Sequence, residues 1–240
     1  MGIHDSGMHS HLRPQLLFSA AGSITIELDN TLCLLPPRRA AWIPAGTVHR
    51  AIMSGSMAYR SLYFSSALPL SALPLRIVEV NPLFFEVIER MAFWQWGMPE
   101  EQQSSLITVF CEEIKNAQSE NWTLRFPSDI RLSAWLDKVR GGELPPRLGQ
   151  LAQKVGACER TISRIFIQDT GMSYQSWRQQ WRLLKAMEML CDGWSLSQVA
   201  QQLDFASDSA FIVFFRQYMG TTPTRYLRHS IAEHQDIPLV

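Results

Sequence analysis

The chain has 240 residues, 46% hydrophobic and 18% charged, which is the balance of a soluble globular protein of one or two domains and excludes disordered and fibrous classes. No apolar run approaches 18 residues and Met1 to His11 is polar, which speaks against a membrane span or secretory leader and for a cytoplasmic protein. The 22 basic and 22 acidic residues cancel overall, but residues 1–124 hold 8 against 11 and residues 125–230 hold 14 against 9, so a polyanionic partner would meet the second half.

Residues 9–76 predict strands. Gln15 to Gly22, Ser23 to Leu28, Cys33 to Leu35, Ala40 to Ile43, His49 to Ile52 and Tyr59 to Phe64 are short runs rich in β-branched and aromatic residues, set apart by Asp29-Asn30, Pro36-Pro37 and Pro44-Ala45-Gly46. This spacing implies a sandwich or small barrel. His9-x-His11, Gln15, Gly22 and Pro44-x-Gly46-x-x-His49 are similar to the two motifs of the cupin barrel, with Gln15 where Glu is usual. Side chains two apart on a strand share a face, so His9 and His11 could both point inward, with Gln15 and His49 arriving from neighbouring strands. Three imidazoles and an amide oxygen suit a divalent transition metal; a metal-free pocket is the alternative. His9, His11, Gln15, Trp42, His49 and Tyr63 are the expected lining of the barrel's pocket, and His9, His11, Gln15 and His49 the residues that could hold a metal.

From Asn81 the pattern turns helical. Pro82 opens Leu83 to Trp96, with Phe84, Val87, Ile88 and Met91 on one face, and a second helix runs from Glu100 to Asn116 with Leu106, Val109, Phe110 and Ile114. Met98-Pro99 makes the turn of an antiparallel hairpin. The reading is then a domain over 1–76, a hairpin over 77–120, a polar, breaking linker from Asn116 to Pro127 and a helical domain over 125–230, with a mobile tail over 231–240. Cys33, Cys111, Cys158 and Cys191 are far apart with no C-x-x-C pair, which suits a reducing compartment, and Cys158 reads best as a small buried thiol.

The helical domain states one pattern twice. Leu151 to Val155, a turn at Gly156, Glu159 to Phe166, Gly171 and Trp177 return as Val199 to Leu203, a turn at Asp204, Asp208 to Phe215, Gly220 and Tyr226. The offset is 48 residues before each turn and 49 after it, so the second turn is one residue longer. Each copy reads as helix, turn and helix. In the first, Ile162, Ile165 and Phe166 form the buried stripe and Arg160, Arg164 and Ile167 the opposite face, flanked by Thr161, Ser163 and Gln168. Arg can grip guanine through two hydrogen bonds, and Thr or Ser can contact several bases, which is what a major-groove reader needs. In the second, Phe211, Phe214, Phe215 and Tyr218 are buried, leaving Ser209, Val213 and Arg216 outward beside Asp208, Ile212 and Gln217, a face poorer in donors. Tyr174 to Leu190 reads as one helix between the copies, a rod of roughly 25 Å that could hold two reading helices near one DNA turn apart.

These residues carry a resemblance. Leu148-x-x-Leu151-Ala152, Gly156-x-Cys158, Ile165-Phe166, Gly171-Met172-Ser173, Trp181-Arg182-Leu183, Phe205-x-Ser207-x-Ser209-Ala210-Phe211, Phe215-Arg216 and Gly220-x-x-Pro223-x-x-Tyr226 look like the signature of the AraC/XylS family of transcriptional regulators. Cys158, Asp204 and Val213 depart from that pattern, where Ser, Gly and a polar reader are usual. The resemblance implies an α+β protein with a cupin-like N-terminal barrel, a helical hairpin that can carry homodimer contacts and a C-terminal all-α domain with two helix-turn-helix motifs.

The resulting expectation is a regulator that binds double-stranded promoter DNA under control of a small-molecule effector. Arg160, Thr161, Ser163, Arg164 and Gln168 belong to the first reading face, and Asp208, Ser209, Ile212, Val213 and Arg216 to the second. Arg216, Arg178 and Arg182 are expected to meet phosphate, which positions without specifying. Three alternatives stand beside it: a helical bundle whose repeat is only packing, a metal-dependent cupin enzyme with a helical appendage, and a module whose Ile212 and Val213 touch a protein such as RNA polymerase.

Overall fold

The structure is a computed structural model that describes residues 4–53, 57–70 and 72–232. It divides into two compact units, Met1–Ile26 with Leu34–Trp122, and Glu27–Cys33 with Thr123–Val240. Among the described residues no helix is long and apolar enough to cross a membrane.

The first unit is antiparallel. Its strands are β1 (His4–Asp5), β2 (Gln15–Ala21), β3 (Ile24–Leu28), β4 (Thr31–Leu35), β5 (Arg39–Ile43), β6 (Arg50–Met53), β7 (Ala58–Tyr63), β8 (Arg76–Glu79) and β9 (Ser119–Glu120), with Glu27–Leu28 of β3 and Thr31–Cys33 of β4 belonging to the second unit. One sheet holds β1-β6-β3-β4 in that order and the other β7-β2-β5-β8-β9. Register divides the second sheet into two faces. Leu16 pairs with Trp42 and with Leu62, and Phe18 pairs with Ala40. That face packs against the helices α1 (Pro82–Ala92) and α2 (Glu100–Asn116), where Phe84, Val87, Ile88, Met91, Phe110 and Ile114 complete one apolar core. Gln15 pairs with Ile43 and with Tyr63, and Leu17 with Ala41, so these side chains belong to the opposite face.

Helix α1 forms where its signals say it should. Asn81 caps it by accepting from the Phe84 N–H, Pro82 occupies the first turn, and the buried stripe falls at i, i+3, i+4 and i+7. Each of those four side chains contributes about 1.5–3 kcal/mol by leaving water. Three strands depart from expectation. Arg76–Glu79 is a strand between β5 and β9, and the stretch from Asn116 to Pro127, read as a linker, carries β9 and β10 (Thr123–Arg125). Strands of two to four residues are too short to show a period of two, and only their partners reveal them.

In the second unit β10 pairs antiparallel with Thr31–Cys33. A 3₁₀ turn, Ile130–Leu132, leads into α3 (Ser133–Arg140), followed by α4 (Leu148–Lys154), α5 (Glu159–Thr170), α6 (Tyr174–Cys191), α7 (Leu196–Gln202), α8 (Asp208–Met219) and α9 (Pro223–Ala232). The core around α6 is aromatic: Phe166 lies 4.9 Å from Tyr174 and 5.2 Å from Trp177, ring to ring. The polar ends of these rings are satisfied, Trp177 Nε1 donating to the Arg125 carbonyl at 2.8 Å and the Tyr174 hydroxyl to that of Pro146 at 2.6 Å. The tail expected from residue 231 is corrected at its start, because α9 runs to Ala232. Residues 233–240 of that tail lie outside the described residues.

Candidate functional site

The two halves of the C-terminal unit share their internal bonds as well as their pattern. In the first, Ala157 N–H donates to the Ala152 carbonyl across the turn, and in the second Phe205 N–H donates to that of Ala200, at 3.0 and 2.9 Å. Gly156 and Asp204, each the first residue of its turn, are both left-handed, with φ of 66° and 57°. Asp is among the few side chains that tolerate this, so the turn survives without glycine. Arg147 N–H donates to the Gln150 side chain before α4, and Ser195 N–H to that of Gln198 before α7. The second helices start at Cys158 and Ser207 and end on the left-handed Gly171 and Gly220.

Each second helix buries one stripe and exposes the other. Ile162, Ile165 and Phe166 are buried on α5, leaving Arg160, Arg164, Ile167 and Gln168 exposed and Thr161 and Ser163 half-buried beside them. On α8, Phe211, Phe214 and Phe215 are buried while Asp208, Ser209, Val213, Arg216 and Gln217 are exposed, with Ile212 half-buried; Tyr218, expected in the buried stripe, is corrected, being exposed in the last turn of the helix. The Asp208 carboxylate is already engaged by the Ser197 hydroxyl at 2.5 Å, which anchors α7 to the start of α8.

Two expected phosphate contacts are corrected. Arg178 and Arg182 are each only 6% exposed. Arg178 Nε donates to the Pro145 carbonyl at 2.6 Å. Arg182 Nη2 donates to the carbonyls of Leu203 and Asp204 at 2.6 and 3.1 Å, and its guanidinium lies 3.6 Å from the Phe205 ring centre. Both side chains hold loops of the domain from within. Burial, aided by the neighbouring Arg178 charge, pushes Arg182 down to about 10, which leaves it charged at neutral pH. Cations buried in this way are out of reach of DNA phosphates. Cys158, expected as a buried thiol, is exposed at the head of α5, its Sγ 3.2 Å from the Thr161 hydroxyl.

In the N-terminal unit the histidines expected to converge do so. His9 and His49 exchange backbone hydrogen bonds at 2.9 Å each way, and Gly46 N–H donates to the His11 carbonyl at 2.8 Å. The Pro44–Thr47 turn that delivers His49 needs its third residue left-handed, and Gly46 has φ of 76°. The nearest ring nitrogens of His9, His11 and His49 all lie within 4.8 Å of one another. Each Nδ1 sits on a backbone carbonyl: Gly7 for His9 at 3.0 Å, Arg13 for His11 at 2.6 Å and Thr47 for His49 at 2.9 Å. A carbonyl only accepts, so each Nδ1 carries a proton and each neutral ring keeps its lone pair on Nε2. A backbone carbonyl holding Nδ1–H in this way orients metal-binding imidazoles. Burial holds His49 below the usual histidine range, which keeps its lone pair free.

Gln15 completes the cluster, with Oε1 3.1 Å from His11 Nε2 and Nε2 donating to the Ser61 and Tyr63 hydroxyls at 2.8 and 3.3 Å. Two acceptors face each other across that 3.1 Å gap. A bound cation satisfies both; without one, the amide turned over donates to His11 and accepts from Ser61 and Tyr63. Tyr63 stands edge-on to His11, ring centres 5.0 Å apart. Trp42 is corrected: it is fully buried in the core beneath α1 and α2, in register with Leu16, on the other face of the sheet from Gln15. A separate groove of about 590 Å³, walled by Phe64, Met91, Trp94 and Ile107 with Glu100 at its edge, lies between the end of β7 and the α1–α2 hairpin. Its walls come from three segments whose apolar patterns each read as plain core.

A sequence family described as a helix-turn-helix domain matches residues 151–229. The HTH-type transcriptional regulator NimR of Escherichia coli is 28% identical over 224 residues, which is 92% of this chain and 82% of that protein. The HTH-type transcriptional regulator RipA of Corynebacterium glutamicum is 34% identical over 79 residues, 33% of this chain and 24% of that protein. Among solved structures, ToxT from Vibrio cholerae aligns with 94% of this chain and 96% of its own, at 12% identity and a TM-score of 0.39.

Proposed function

From the premise that the chain is an AraC-type regulator of transcription with a DNA-binding helix-turn-helix domain, we propose that it reads promoter DNA with both motifs under control of a small effector held by the N-terminal unit. The observation that carries this reading is the pair of helices α5 and α8, set by equivalent turns and ended by equivalent left-handed glycines, each exposing the face that its apolar stripe leaves free. Arg160 and Arg164 grip base edges, with Thr161, Ser163 and Gln168 beside them, while Ser209, Ile212 and Val213 face the second groove and Arg216 meets phosphate. Asp208 has no attractive contact to offer a polyanion, and its bond to Ser197 gives it a structural role.

The effector site is the cluster of His9, His11, His49, Gln15 and Tyr63, and its donor set suits a divalent transition metal held by the three imidazoles with the Gln15 amide oxygen. Small side-chain rotations bring ligand atoms from 4.8 Å apart to the roughly 3.3 Å spacing of nitrogens about 2.0–2.1 Å from one ion. The α1–α2 hairpin is the surface for a second copy of the chain, and contacts to RNA polymerase fall on faces that DNA leaves free. The relatives being regulators, we read the chain as a regulator acting in the cytoplasm and not as an enzyme.

Selection of bound sequences from random duplex DNA with the full chain, at two salt concentrations, tests the reading. Two enriched blocks about ten base pairs apart are expected, and Arg164→Ala loses about 1–3 kcal/mol on the selected site with relaxed preference in one block. Equal loss on random DNA makes Arg164 a phosphate contact, and no enrichment at either salt overturns sequence reading altogether.

A further inference from the structure

The two reading helices place different chemistry at equivalent positions. With the offset of 49 residues, Arg160, Ser163, Arg164 and Ile167 of α5 correspond to Ser209, Ile212, Val213 and Arg216 of α8. Val213 is 68% exposed and by this offset stands at the position equivalent to Arg164, the side chain proposed to grip guanine from the first helix. A lone exposed valine is ordinary on a protein surface. What marks this one is its place: the sixth residue of α8, midway along the exposed face, with Ser209 one turn before it and Arg216 one turn after it. The early turns of a reading helix are the part that reaches base edges.

A valine pressed against guanine or cytosine would leave a buried acceptor or donor without a partner, which costs more than the contact returns. Thymine alone among the four bases presents a methyl group in the major groove. We infer that Val213, broadened by Ile212, recognises a thymine 5-methyl in the second half of the DNA site, at the place matching the guanine gripped by Arg164 in the first half. The two halves of the site are then unlike although the two motifs share one backbone plan. This inference rests on the two-groove reading above and adds the base class that the second groove must present.

The test uses the full chain and the duplex obtained by selection, with each thymine of the second block replaced in turn by deoxyuridine, which removes only the methyl. One replacement should weaken binding about fourfold, the equivalent of ~0.8 kcal/mol for one methyl-sized group returned to water. Val213→Ala should weaken binding to the thymine duplex by a similar factor and should bind the thymine and uracil duplexes alike. Val213 being exposed, that variant should melt as the parent does, and Val213→Arg should move the preference at that place towards guanine. Two enriched blocks with no sensitivity to uracil overturn the inference and leave two-groove reading intact, as does a Val213→Ala variant that keeps full affinity but no longer supports transcription by purified RNA polymerase, which makes Val213 a protein contact. Absence of a second block removes both.

Discussion

Arginine is the residue whose position in the fold decides most here. Arg160 and Arg164 are exposed on α5, whereas Arg178 and Arg182, one and two turns into α6, are buried and spend their donors on carbonyls. Replacing Arg182 by Ala strands the Leu203 and Asp204 carbonyls and removes the plane stacked on Phe205, so a loss of about 2–4 kcal/mol in urea unfolding is expected. Unchanged stability with a steep drop in DNA affinity would instead restore Arg182 as a phosphate contact. Thiols sort by the same principle of surroundings. The Thr161 hydroxyl and nearby backbone N–H groups pull the exposed Cys158 below the usual thiol range, while burial lifts Cys33 and Cys191 to about 12 and raises Cys111. Iodoacetamide at neutral pH should therefore label Cys158 first and weaken DNA binding as it does so; mass spectrometry showing Cys111 or Cys191 labelled at the same rate would contradict this.

At the level of elements, the second turn shows how a departure from pattern is absorbed. Asp204 adopts φ of 57° and its carbonyl is held by Arg182, while its carboxylate lies 4.0 Å from Arg178 and is largely exposed. Asp204→Gly should therefore change stability by less than about 1 kcal/mol, the relief of left-handed strain being offset by the freer unfolded chain. Asp204→Val forces a β-branched residue into that conformation and should cost about 1–2 kcal/mol or more. Thermal unfolding of the pair decides the matter: a glycine variant as damaged as the valine one would mean that the Asp204 carboxylate, and not its backbone, makes the turn. The N-terminal strands work by register. A shift of one residue along β2 separates Gln15, which meets His11 and Tyr63, from Leu16, which meets Trp42 in the core.

For the whole molecule the consequence is a regulator with two separately built units, and a ligand of one should be visible in its stability. Zn²⁺ or Ni²⁺ at about a hundred times its dissociation constant should stabilise the folded N-terminal unit by about 2.7 kcal/mol, seen as a calorimetric transition that moves upward. His49→Ala should abolish the shift, and Trp42→Phe, which alters the core beneath the helices, should keep it. A shift that survives His49→Ala would place metal elsewhere and leave the cluster as a hydrogen-bonded pocket. The charge of the second half acts at this scale too. Its basic excess includes Arg178 and Arg182, so fewer phosphates are neutralised than composition implies, and the salt dependence of binding should be correspondingly shallow.

The doubled helix-turn-helix, the stripes of α1, α5 and α8 and the spacing of His9, His11 and His49 were legible in sequence, because helical period, turn residues and i, i+2 alternation are local and repeat. Convergence of the three imidazoles was expected from strand alternation, but His9 and His49 meet in an isolated bridge and His11 lies between strands, so backbone bonds of the loops bring them together. Tertiary structure alone decided which face of a strand or helix meets solvent when both faces carry ambiguous residues. Trp42 could have lined a pocket, and Arg178 and Arg182 could have met phosphate, because an aromatic ring and a guanidinium are at home in either setting. What settled them was distant in sequence: Leu16 and α2 for Trp42, the Pro145 carbonyl for Arg178, the Leu203 and Asp204 carbonyls for Arg182. The strands β8, β9 and β10 stayed hidden for the same reason, being too short to carry a period and defined wholly by the strands they pair with.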